Sequence, residues 1–198
     1  MGAVPAASGQ VRTIAVIGAG PVGRGIAQLA ARGGYRTILE DLLPNALRRA
    51  ESEIRTQLER AVDSGSVSSS DANEAFSRLE FAGTVEDAAR PADLVIEAVP
   101  EELESKIEIF TLLDKICRPG TILVSSTLSF SITEIARVTY RPQNCLGMRF
   151  ANPVGEGRRI EVVRGLETGD DTLAAGVEVG RRMGKEVIVV KDPVAALM

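Results

Sequence analysis

The chain has 198 residues, a formal net charge of −4, 44% hydrophobic and 25% charged residues, and no Trp. That is enough for one sizeable hydrophobic core under an ordinary globular surface, and it excludes the basic surface that nucleic acid or an anionic membrane would need. No apolar run approaches the length of a membrane span, and the two cysteines, Cys117 and Cys145, stand at no metal-binding spacing, so neither a membrane nor a metal partner is expected and a reduced, cytoplasmic setting is.

The first ten residues, MGAVPAASGQ, lack the charged and apolar regions of a signal peptide, and Ala6 stands where a myristoylation motif needs serine or threonine. They read as a flexible tail. Residues 11–17 (VRTIAVI) form a β-branched apolar run that stops at glycine and predicts a buried strand. Residues 21–32 carry Val22, Ile26 and Leu29 at helical spacing, and Gly33-Gly34 ends that helix. Residues 36–40 give a second strand, which completes a strand–helix–strand unit. A longer helix is expected over 44–63, with Leu47, Ala50, Ile54, Leu58 and Ala61 on one face. After the turn Ser64-Gly65-Ser66, Ser70 is expected to cap a short helix carrying Ala75 and Leu79. This helical pair reads as an insertion after the second strand.

Further strands are predicted at 93–99, 121–125, 145–150, 159–164 and 186–190. The helices between them are expected at 103–117, around 132–137, and near 171–183. Strands that alternate with helices predict a doubly wound, mainly parallel α/β sheet of the Rossmann type, spanning residues 11–193 as one domain.

Gly18-Ala19-Gly20-Pro21-Val22-Gly23 fits the pattern G-x-G-x-x-G. The pattern alone is weak, but here it directly follows a predicted strand and opens a predicted helix, which is the context it requires. Gly18 permits the tight turn, Gly20 lets the backbone approach a pyrophosphate, and Gly23 lets helix and strand pack closely. The free N–H groups at the start of the helix, around Pro21 and Val22, then face the phosphates. Asp41, at the end of the second strand, is placed to accept hydrogen bonds from adenosine ribose hydroxyls and to repel the 2′-phosphate of NADP. Glu40 is expected to add to that repulsion, and Leu42, Leu43 and Pro44 beyond it are apolar. NAD is therefore the expected cofactor, although FAD-binding folds share the fingerprint.

Several stretches together carry a resemblance. GAGPVGRGIAQLAARGGYRTILEDL, ADLVIEAVPEELESKIEIFTLLDKI, LVSSTLSFSITEIA and LGMRFANPVGEGRRIEVVRG resemble the NAD-binding domain of the 3-hydroxyacyl-CoA dehydrogenases. The inserted helical pair is also typical of that family. The resemblance implies hydride transfer between NAD and a 3-hydroxyacyl-CoA in fatty-acid metabolism, or a related hydroxy acid as substrate. It implies that Glu101 and Lys106 stand near the nicotinamide end, where they also read as an exposed Glu/Lys helix face. It implies that Asn152 contacts both nicotinamide end and substrate, where it also reads as a turn residue before Pro153. Glu161 falls at the acid that orients the family's catalytic histidine, and equally reads as a strand-end ion-pair partner.

Two departures stand out. The family's histidine falls at Arg149, and its substrate-binding serine falls at Leu128; a shifted match would offer Ser129 or Ser126 as the hydroxyl instead. There is no histidine anywhere in the chain. Arginine keeps its proton at every physiological pH, so it cannot serve as the base that hydroxyl oxidation needs. The Arg149 and Glu161 positions predict a two-pronged Arg–carboxylate clamp instead of a catalytic dyad. Lys106 or water remains as an atypical base. The resemblance also implies a following helical domain, to which residues 194–198 read as a truncated connection, and association with a second copy or a partner chain. Two functions stay open: a dehydrogenase of this type, or a non-catalytic NAD-binding or sensing domain.

Overall fold

In the computed structural model, residues 10–192 are described; the expected tail (apart from the exposed Gln10) and the segment 194–198 lie outside them. The chain runs β1 (Thr13–Ile17), α1 (Pro21–Arg32), β2 (Arg36–Glu40), α2 (Pro44–Asp63), α3 (Ser69–Ser77), β3 (Leu79–Ala82), α4 (Val85–Ala89), β4 (Leu94–Glu97), α5 (Leu103–Ile116), β5 (Ile122–Ser125), α6 (Ile132–Ala136), β6 (Cys145–Phe150), β7 (Arg159–Arg164), α7 (Asp170–Arg182) and β8 (Glu186–Lys191). The eight strands form one sheet in the order β3-β2-β1-β4-β5-β6-β7-β8. All neighbours are parallel except β6 and β7, which the short connection through residues 151–158 pairs antiparallel.

Alternation along β1 shows why the sheet is covered on both faces. Ile14 and Val16 point to one core, with Ile26, Leu29, Ile54, Leu58 and Val179 from α1, α2 and α7. Ala15 and Ile17 point to the other, with Val85, Phe110, Leu113 and Ile135 from α4, α5 and α6. A strand buried on both faces has no polar side to alternate with, so it reads as a continuous apolar run. Pro21 sits in the first turn of α1, where its missing N–H costs nothing, and Gly34, at φ +87°, carries the chain out toward β2.

Three details correct the expectations. Ser68, not Ser70, caps α3: its hydroxyl accepts from the Asp71 N–H at 3.0 Å. Leu79 lies not on that helix but at the start of β3, which pairs in parallel with β2. The helical pair is thus the crossover from β2 to a third strand, which, like α4, is not among the elements expected from the sequence. Both are short, and β3 is an edge strand only half buried, so its apolar signal is weak. Cys117 and Cys145 are buried free thiols, pushed up to about 11 and about 12 by burial, as inert packing groups. Among the described residues no helix is long and apolar enough to cross a membrane.

Candidate functional site

Strand order reverses between β1 and β4, and ligands of doubly wound sheets bind outside the carboxyl ends of the strands at that point. A cleft of about 700 Å³ opens there. Its walls come from the segments that follow β1 (Gly18, Gly20, Pro21, Val22), β2 (Asp41, Leu42, Leu43), β4 (Ala98 to Glu101), β5 (Ser126, Leu128) and β6 (Asn152, Val154).

The three glycines of the turn do different work. Gly18 has φ +101°, and a Cβ there would lie 2.8 Å from the Ala98 carbonyl oxygen. A Cβ on Gly23 would lie 1.8 Å from the Gly18 carbonyl oxygen, so this glycine lets α1 close on β1. A Cβ on Gly20 would meet nothing within 4 Å. Nothing in the fold itself forbids a side chain at Gly20; the space it leaves belongs to the cleft, at the N-terminus of α1. That is the cradle a pyrophosphate requires: free N–H donors, the positive end of a helix, and room for close backbone approach.

Asp41 locks this turn to the end of β2. Its Oδ2 accepts from the Ala19 N–H at 3.0 Å and its Oδ1 from the Leu43 N–H at 2.9 Å. Each oxygen keeps a second lone pair for a ribose hydroxyl. Glu40 behaves differently from the expectation. It is 2% exposed, and burial, with the Asp41 charge beside it and the Gly18 N–H opposing, pushes its carboxyl up to about 7. A buried, half-neutral carboxyl repels a distant phosphate poorly, so the repulsion expected of Glu40 is not supported.

At the other end of the cleft, Glu101 organises the turn after β5. Its Oε1 accepts from the Thr127 hydroxyl at 2.6 Å and from the N–H groups of Leu128 and Ser129 at 2.9 and 3.0 Å. Its Oε2 lies 3.2 Å from Lys106 Nζ. Burial raises this carboxyl, but the donors and the ammonium more than offset it, and the pKa is lowered. Lys106 is not on an exposed helix face. It is 1% exposed beneath the cleft, with Nζ 2.9 Å from Glu97 Oε1 and 3.4 Å from the Val99 carbonyl oxygen. It donates to these two acceptors and lies within ion-pair distance of Glu101, so its ammonium is engaged beneath the cleft instead of open to a ligand. Glu97 and Ser125, the remaining members of this network, are fully buried and had no sequence signal beyond their place on apolar strands.

Leu128 projects into the mouth of the cleft and is 59% exposed, an apolar side chain where a hydroxyl is expected; Ser126 is the hydroxyl residue that lines the cleft. Asn152 also lines it and is exposed, free to contact a ligand. Arg149 and Glu161 do face each other across the antiparallel register. Their contact is single and long, Nη1 to Oε2 at 3.5 Å, and Arg149 Nε is buried without a partner. The two-pronged clamp is therefore not formed, and neither residue lines the cleft. With the Glu161 side chain 46% exposed, such a pair contributes at most about 1 kcal/mol.

A glycine cradle at a helix start, an acid closing the second strand, and a cleft at the switch point together define a dinucleotide-binding Rossmann domain. Residues 13–193 match the family described as 3-hydroxyacyl-CoA dehydrogenase, NAD binding domain, and the chain belongs to that family. It is 40% identical over 183 residues to a probable 3-hydroxybutyryl-CoA dehydrogenase of Bacillus subtilis, covering 92% of this chain and 63% of the relative. It is 37% identical to a 3-hydroxybutyryl-CoA dehydrogenase of Bradyrhizobium diazoefficiens, over 92% of this chain and 62% of that one. The crystal structure of (S)-3-hydroxybutyryl-CoA dehydrogenase from Ralstonia eutropha superposes with a TM-score of 0.89 at 33% identity, covering 92% of this chain and 64% of that chain. The chain thus spans a little under two thirds of the length of these relatives.

Proposed function

We propose that this chain holds NAD(H) in the cleft as the cofactor-binding part of a hydroxyacyl-CoA-dehydrogenase-type oxidoreductase, and that these residues do not themselves supply the proton acceptor. The observation that carries the first half is the open position at Gly20 beside the Asp41-locked turn. In this reading the α1 N–H groups and Asp41 bind the dinucleotide, and Glu101 and Asn152 flank its nicotinamide end. Bound NAD supplies hydride acceptance. The matching step, removal of the hydroxyl proton, contributes typically 10²–10⁴-fold when a poised base is present.

Among the described residues, none near this end of the cleft is poised in that way. Arg149 is no base and does not line the cleft, Lys106 is engaged by Glu97, the Val99 carbonyl and Glu101, and the Glu101 carboxyl is a weak base because its ionised form is stabilised. The non-catalytic reading, an NAD-binding or sensing domain, is favoured by the same three residues together with Leu128. A CoA-ester substrate is supported by kinship with longer relatives named 3-hydroxybutyryl-CoA dehydrogenase; a partner chain or second copy that completes the site is part of the same proposal. A cytoplasmic location is part of this proposal, in keeping with the two buried free thiols.

Titration of NADH and NADPH, followed by nicotinamide emission, tests the cofactor reading directly. NADH is expected to bind more tightly than NADPH. Asp41→Ala should weaken NADH by about 10–100-fold, the worth of lost hydrogen bonds to a charged acceptor, and should narrow the gap between the two cofactors. NADPH binding as tight as NADH, or an Asp41→Ala protein with unchanged NADH affinity, would count against it.

A further inference from the structure

Within the cleft, one buried polar atom is left without a partner. Glu40 lines the cleft wall, is 2% exposed, and its Oε1 is buried with no hydrogen-bond partner. Its Cα neighbours in the sheet are Ile17 of β1 and Ala82 of β3, so the side chain rises at the edge of the cleft beside Asp41. The wall around it is apolar: Ile17, Leu42, Leu43 and Val85. Stranding a carboxyl oxygen in such a place is costly, and native structures avoid it unless something else arrives to satisfy it.

We propose that Glu40 is a recognition residue for the adenine base, meeting its amine edge as a neutral carboxylic acid. The proposal rests on the NAD-binding reading above. Asp41 next door marks the ribose, so the flat base attached to that ribose falls on the apolar wall that Glu40 interrupts. Adenine offers an amine donor next to a ring-nitrogen acceptor. A neutral carboxyl offers one acceptor and one donor and matches that edge with two hydrogen bonds; a carboxylate offers two acceptors and opposes the ring-nitrogen lone pair. Closing a base over Glu40 removes its remaining contact with water, which further favours the uncharged form.

The other charged groups on the elements packed against β2 are already engaged or remote. On α1, Arg24 pairs with Glu53 of α2, and Arg32 lies at the opposite end of the helix. On β3, Glu80 is held by Arg36 at 2.6 Å. On α4, Glu86 pairs with Arg90, and Asp87 accepts from the Thr84 hydroxyl at 2.7 Å. β1 carries no charge. Asp41 is thus the charge that faces Glu40, and the unpaired proton-binding site in this part of the cleft is Glu40 itself.

Cofactor affinity must then fall as the acid ionises. A carboxyl at about 7 in the free protein and protonated in the complex predicts about tenfold weaker binding at about pH 8 than at about pH 6. The test is calorimetric titration of NADH, and of ADP-ribose, which keeps the adenine and lacks the nicotinamide, across that range. Both are expected to show the same weakening. Glu40→Gln, whose amide presents a donor and an acceptor at every pH, is expected to bind both ligands with a flat profile near the wild-type affinity at the acid end. Urea unfolding of Glu40→Gln confirms that the variant is folded when it is titrated. NADH binding with a flat wild-type profile overturns this proposal alone, as does a Glu40→Gln protein that keeps the wild-type slope, or a slope seen with NADH and absent with ADP-ribose. No NADH binding at any pH overturns the cofactor reading and this proposal with it.

Discussion

Replacing Lys106 by Met should destabilise the fold by about 3–5 kcal/mol, the usual cost of leaving one partner of a buried ion pair without the other. Lys106 is 1% exposed and Glu97 is fully buried, 2.9 Å away. Glu97 Oε1 also accepts from the Val99 N–H at 2.8 Å, and its Oε2 from the Ser125 hydroxyl at 2.7 Å. Burial raises the Glu97 carboxyl, and the Lys106 ammonium opposes that rise; without the ammonium, the rise grows. The sign of the pH dependence follows. A carboxyl whose folded pKa lies above its unfolded value favours folding at low pH and loses that contribution as pH climbs through the folded pKa. The cost of Lys106→Met should therefore be largest at neutral and alkaline pH and shrink toward acid. The double variant Glu97→Gln with Lys106→Met should recover most of the loss, because it removes the stranded charge. Urea unfolding of the two single variants and the double variant, at several pH values, reads all of this. A loss below about 1 kcal/mol for Lys106→Met would place the pair among ordinary surface bridges and contradict its role under the cleft.

The second large effect is on binding and leaves the fold alone. Gly20→Val should reduce NADH affinity by at least about 100-fold, because it fills the space where backbone and pyrophosphate must meet. Its backbone, at φ −65° and ψ −178°, is one any residue adopts, and no atom lies within 4 Å of the added Cβ. Its unfolding midpoint should therefore stay close to wild type. Gly23→Ala is the contrast: its Cβ would lie 1.8 Å from the Gly18 carbonyl oxygen, so it should damage folding itself. A Gly20→Val protein that binds NADH like wild type would remove the cradle from the account.

The parts of this molecule that could be read in advance are those encoded by neighbours in sequence. The turn from Gly18 to Gly23, the helix it opens and Asp41 after β2 belong to one contiguous unit, so spacing alone placed them at one end of the sheet. Lys106 and Glu40 show where such reading stops. On a helix, Lys106 among Glu104 and Glu108 has the pattern of a solvated face, and the residue that buries it, Glu97, lies on another element. Glu40 ends a strand beside a second acid, which looks like surface; only the parallel neighbours Ile17 and Ala82 show that it is enclosed. β3 escaped notice because four residues on an edge, Leu79 to Ala82, bury too little to leave a clear alternation. The Arg149–Glu161 pairing was legible as proximity, since both lie on strands joined by a short connection. Its single, long contact was not, because register fixes backbone partners and leaves guanidinium geometry to packing.

The proposed cleft holds NAD(H), while its residues lack the proton-handling group for hydride exchange with a hydroxyacyl thioester. One measurement tests it most directly: saturate the chain with NADH, confirm binding by the change in nicotinamide emission, then add acetoacetyl-CoA and follow the loss of NADH absorbance. A clear binding signal is expected, with NADH consumed at a rate far below the usual enzymatic range of about 1–10³ s⁻¹. Turnover within that range, by the chain alone, would contradict it.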